Sequence, residues 1–198
     1  EFSEWNVRGL PDSYTAGGLF INRWGQDKQS VNLSYRYNRL GTENISSTLT
    51  QNILGDSVTY TNNFQNTEGL IEQHAANGKY EWKPDSLTTF KLVAAGKYRV
   101  GDNITNSKSE YLGQDGAFIN QNERRNRSAL TRRETDNVFT YNQLFKKKNR
   151  QLIATMRFGL KDEDQDGLLY AKTSFYEDGE ISRDTLTDQQ KMISSNSK

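Results

Sequence analysis

The chain contains no cysteine, so disulfides, thiolate metal sites and cysteine nucleophiles are all excluded. It has one histidine, His74. A lone histidine offers no metal cluster, and no G-x-S-x-G elbow, dinucleotide fingerprint or Walker loop accompanies it. The two prolines, Pro11 and Pro84, sit in polar connections ("GLPDS" and "WKPDSL") rather than inside a candidate strand. No apolar run reaches the roughly 18 residues that a transmembrane helix needs. The opening "EFSEWNVRGL" lacks the basic start and apolar core of a signal peptide. A net charge of +1 gives no overall pull towards nucleic acid.

What is present is aromatic and alternating. Hydrophobic residues make up only 33% of the sequence and mean hydropathy is −0.92, yet aromatics reach 11%, too many for a disordered polar chain. In "SVNLSYRYN" the residues Val31, Leu33, Tyr35 and Tyr37 alternate with Asn32, Ser34, Arg36 and Asn38. A period of two is the signature of a strand with one apolar face. It recurs through Ala76–Trp82, Phe90–Tyr98, Phe139–Phe145 and Leu152–Leu160, and less cleanly through "YTAGGLFINRW".

Three short polar segments, "WGQDKQ", "WKPDSL" and "FKKKNR", join these strands and read as tight hairpin turns. The other connections, from Leu40 to about Glu68 and from Gly101 to about Arg127, are long and rich in Asn, Ser and Thr, and the chain turns polar again after Gly167. Alternating short and long connections predict an all-β, antiparallel up-and-down meander of about six to eight strands. The same asymmetry predicts part of a transmembrane β-barrel, with short periplasmic turns and long extracellular loops. On that reading Arg36, Lys79, Lys91, Lys97, Arg99 and Arg157 face a wet lumen. Trp24, Tyr80, Trp82 and Phe145 would form an aromatic girdle beside the short turns. A β-sheet with one wet face is the competing architecture.

The stretches "GGLFINRWGQDKQSVNLSYRYNRL", "GKYEWKPDSLTTFKLVAAGKYR" and "FTYNQLFKKKNRQLIATMRFGLKDEDQDG" resemble the outer-membrane β-barrel family of Bacteroidetes, relatives of TonB-dependent receptors. The carrying pattern is Tyr141, Phe145 and Lys146-Lys147-Lys148 before a strand. The resemblance implies that residues 1–198 are one early-barrel segment of a receptor or transporter in the bacterial outer membrane, taking up or binding an unknown ligand. It also implies contact with outer-membrane lipid and, in the full-length protein, with a plug domain and a TonB-type energy coupler. Two other readings stand beside it: a soluble β-rich glycan-binding or adhesive module, and a structural barrel without transport.

No enzymatic activity, cofactor or metal is expected. Asp162, Asp164, Asp166 and Gly167 match the start of an EF-hand loop, but position 12 is Thr173, which supplies no bidentate carboxylate. The stretch therefore reads as a solvated turn at the loop end of a hairpin, or at most a weak calcium site. The basic cluster Arg124, Arg125, Arg127, Arg132 and Arg133 lacks interleaved aromatics, which argues against single-stranded nucleic acid as a partner.

Overall fold

A computed structural model describes residues 10–55, 57–147 and 149–197. Seven strands follow one another: β1 (Leu10–Trp24), β2 (Gln29–Leu54), β3 (Ser57–Trp82), β4 (Thr88–Leu112), β5 (Phe118–Leu144), β6 (Gln151–Glu177) and β7 (Glu180–Ser197). Each pairs antiparallel with its chain neighbour, giving one sheet in the order β1-β2-β3-β4-β5-β6-β7. The expected up-and-down meander is present.

The barrel is not. Among the described residues β1 pairs only with β2 and β7 only with β6, so the sheet is open and encloses no lumen. An open sheet leaves a row of unpaired N–H and C=O groups along each edge strand. Hydrocarbon does not tolerate such groups, because nothing in it can hydrogen-bond to them. The transmembrane-barrel expectation, and with it the outer-membrane receptor and its location, is corrected on this ground.

The long polar loops are corrected too. Leu40–Glu68 and Gly101–Arg127 are the paired arms of two hairpins, β2 running on to Leu54 with β3 starting at Ser57, and β4 running on to Leu112 with β5 starting at Phe118; β2 to β6 each run 25–27 residues. At about 3.4 Å per residue they extend for some 85–90 Å. Their outer halves are held by polar cross-strand pairs instead of apolar alternation. Asn122 donates to Thr173 Oγ1 at 2.6 Å, Ser109 to Asn63 Oδ1 at 2.7 Å, and Thr67 meets Thr105 at 3.3 Å. Threonine suits a pleated surface whatever its polarity.

Three turns lie at what is here called the near end, over residues 25–28, 83–87 and 145–150, as the sequence indicated. Asp85 builds one of them: its Oδ1 accepts from the backbone N–H of Leu87 and of Thr88, both at 2.7 Å. These bonds hold its carboxyl below the usual range. At the far end the β6–β7 turn is tighter still. Asp178 and Gly179 take φ of 51° and 82°, the double left-handed geometry of a two-residue type I′ hairpin. Pro11 lies inside β1, not in a connection, and is accommodated because β1 is an edge strand.

Residues directly opposite in the ladder share a face. One face carries Phe20, Leu33, Tyr35, Tyr80, Leu92 and Phe139 and is called the ring face. The other, the charged face, carries Lys79, Lys97 and Glu134. The few buried apolar side chains, Leu40, Ile71 and Ala75, lie on the charged face near mid-strand, with Asn38 and Arg99 beside them. Ile71 pairs with Leu40 on one side and Gly101 on the other.

Candidate functional site

The residues singled out from sequence separate cleanly by face. Arg36, Lys79, Lys91, Lys97, Arg99 and Arg157 all lie on the charged face, but that face belongs to an open sheet. Trp24, Tyr80 and Trp82 lie on the ring face next to the near-end turns. Trp24 stacks on Tyr80 with centroids 6.3 Å apart, and Trp82 on Phe90 at 5.3 Å. Phe145 follows the end of β5 and opens a turn, its N–H donating to the Arg150 carbonyl at 3.0 Å.

The calcium-loop fragment is neither a loop nor a turn. Asp162, Asp164 and Asp166 lie within β6, on one face at alternate positions, and so roughly 7 Å apart along the strand. Asp162 is bound by Arg133 at 2.9 Å. Among the described residues no group of three or more acidic or histidine side chains is placed to hold a metal. His74 accepts or shares a proton with the Tyr35 hydroxyl at 2.6 Å and packs 4.9 Å from the Tyr37 ring. Tyr37 in turn donates to Glu72 at 2.7 Å, and that bond to a carboxylate pushes its phenol well above the ordinary tyrosine value.

Sequence reasoning missed a depression of about 640 Å³ on the far half of the ring face. Two transverse rows build it. Phe64, Lys108 and Glu123 stand side by side on β3, β4 and β5; in the adjacent row Asn106, Arg125 and Tyr170 stand on β4, β5 and β6. Phe64 and Tyr170 each leave 44% of their surface open. They lie three strands apart, roughly 14 Å.

Polar groups between the two rings are held in place. Lys108 binds Glu110 at 2.7 Å, and Glu110 also accepts from Asn62 at 3.3 Å. The lysine holds the Glu110 carboxyl below its usual range, and the carboxylate raises Lys108. Glu123 accepts from Gln121 at 2.8 Å. Beyond the depression Arg127 grips Asp102 with two bonds of 2.6 and 3.2 Å. The site was invisible in sequence because its members come from four strands whose polar halves carry no apolar period. The one usable signal was a Phe or Tyr isolated within each polar stretch.

No family model matches this chain, and no curated protein is significantly similar to it. The resemblance to outer-membrane barrels thus has no support from family comparison, and the open sheet contradicts it.

Proposed function

We propose that the chain is a β-rich binding module of the glycan-binding or adhesive kind, acting by recognition and not by catalysis. The observation that carries this reading is the pair of open rings, Phe64 and Tyr170, facing the same way across a floor of polar side chains. Aromatic rings offer a flat apolar surface to the C–H face of a sugar. Asn106, Glu123 and Arg125 offer donors and acceptors to its hydroxyls. A site with apolar walls and a few oriented polar groups is how small polar ligands are held. The long rigid strands fix the separation of the rings, so the site favours an oligosaccharide that reaches from one to the other.

The test is a glycan microarray probed with the full chain, followed by calorimetry on any hit. Phe64→Ala and Tyr170→Ala should each weaken binding by about tenfold, equivalent to about 1.4 kcal/mol. Far-UV circular dichroism should be unchanged in both. Absence of binding to every glycan, or equal affinity in the double variant, would overturn the proposal.

A further inference from the structure

We infer that the charged face carries a separate site for an acidic polysaccharide with a carboxylate on every second sugar, laid across the strands. This stands on the opposite face and does not rest on the Phe64–Tyr170 depression. The ladder places Arg36 on β2, Ala75 on β3, Lys97 on β4, Glu134 on β5 and Lys161 on β6 in one transverse row. The three cations of that row, Arg36, Lys97 and Lys161, occur on alternate strands and are exposed. Among the described residues none of them has an acidic side chain within 4.0 Å. Glu134 does not cancel them locally, because it is taken up by Arg132 at 2.6 Å.

Spacing selects the ligand. Adjacent strands lie about 4.8 Å apart, close to the length of one sugar ring, so the cations recur at roughly 10 Å, every second sugar. Beside the row, between the second and third cations, a recess of about 420 Å³ is floored by Ala95 and Gly159. A side chain at position 159 would meet the Thr135 carbonyl at 2.9 Å, so the floor stays low. The row through this floor also carries Ser34, Asn77 and Asp136, suited to sugar hydroxyls. A nucleic acid strand fits less well: it carries a charge on every nucleotide rather than on alternate units, and the rows of this site carry no ring on which bases could stack.

The experiment is calorimetric titration of the full chain with four polymers. These are hyaluronan oligosaccharides (glucuronate on alternate sugars), polygalacturonate (charge on every sugar), neutral dextran and single-stranded DNA. Hyaluronan should bind best and weaken on the order of tenfold as salt is raised, since the contacts are exposed charges. The double substitution Lys97→Gln/Lys161→Gln should lower its affinity by roughly tenfold or more, Arg36→Gln should lower it less, and Phe64→Ala should leave it unchanged. All these side chains are solvated, and matching far-UV spectra would show that the variants fold. No hyaluronan binding, or equal affinity in the double variant, would sink the site. Equal or tighter binding of polygalacturonate or DNA would overturn the spacing argument, and equal binding of dextran would overturn the role of charge. Loss of microarray binding in Phe64→Ala with hyaluronan binding intact would separate the two sites.

Discussion

Along the same strands, the near and far halves of the ring face use different chemistry. In the near half, rings touch rings: Phe90 lies 5.3 Å from Trp82, 5.2 Å from Tyr141 and 6.3 Å from Phe139. In the far half, charges meet charges, as in Arg127–Asp102, Lys108–Glu110 and Lys172–Asp184. The divide runs through the row Tyr37, His74, Tyr98 and Arg133, where a hydroxyl, an imidazole and a guanidinium sit against aromatic faces or carboxylates. The hydrogen-bonded ladder runs through both halves, with register shifts only near the far ends at Tyr111/Leu112 and Phe175/Tyr176, so backbone pairing does not require an apolar face. What differs is the worth of the side chains that decorate it.

The largest expected effect is at the seam. Ile71 is 3% exposed, the most deeply buried apolar side chain among the described residues, and lies on the charged face between Leu40 and Gly101. Ile71→Ala should cost about 3 kcal/mol, the transfer term plus a cavity that a glycine neighbour cannot fill. A urea midpoint that falls with an unchanged slope would show this. A change of slope would mean that the two halves have come apart and unfold separately.

Next comes the ring cluster. Phe90→Ala removes three ring contacts at once and should cost about 2 kcal/mol, with loss of near-ultraviolet dichroism. A loss no greater than that of an ion pair in the far half would erase the contrast between the halves.

Acid should act on the far half with little effect on the rings. The carboxyl of Asp184 is held low by the Ser174 hydroxyl and by Lys172, and that of Glu110 by Lys108. The unfolded chain therefore takes up protons first. Stability from these groups is fully present above their ordinary values, about 3.9 for Asp and 4.3 for Glu, and drains as pH falls through the lower folded values. Glu81, lowered mainly by Lys83, adds the β3–β4 turn at the near end to the acid-sensitive places. Amide exchange followed downward from pH 5 should rise first at the far ends of β3, β4, β6 and β7 and at the β3–β4 turn, where Asp85 is lowered as well. Uniform loss over both halves would contradict the assignment.

How much of this was legible in the sequence follows the same divide. Near-half strands announced themselves by alternation, as in Val31, Leu33, Tyr35 and Tyr37, and their turns by short polar segments. Far-half strands did not, because Asn, Ser and Thr on both faces leave no hydrophobic period, and a polar strand reads as a loop. The contrast between the two kinds of segment then looked like short turns and long loops, and so like a barrel. Asp178-Gly179, a two-residue hairpin signal in plain sight, would have shown that the polar stretch after Gly167 turns back on itself. The acidic triplet misled for a related reason: alternate carboxylates suit a strand face as well as a calcium loop, and only register places Arg133 opposite Asp162.

The smallest effect sharpens the comparison most. Arg127 and Asp102 are joined by two bonds on the ring face, yet the arginine side chain is half exposed. Arg127→Ala should cost less than either apolar substitution above, since solvent screens such pairs and ordering two long side chains offsets the attraction. Raising salt should reduce the wild type's advantage further. If the loss instead reached that of Phe90→Ala, the far half would be held by its charges, and the polar ladder of Thr, Asn and Ser would be the weaker partner. If the loss stays small, as expected, the far half persists because its backbone pairing is continuous with a near half that rings and Ile71 hold in register.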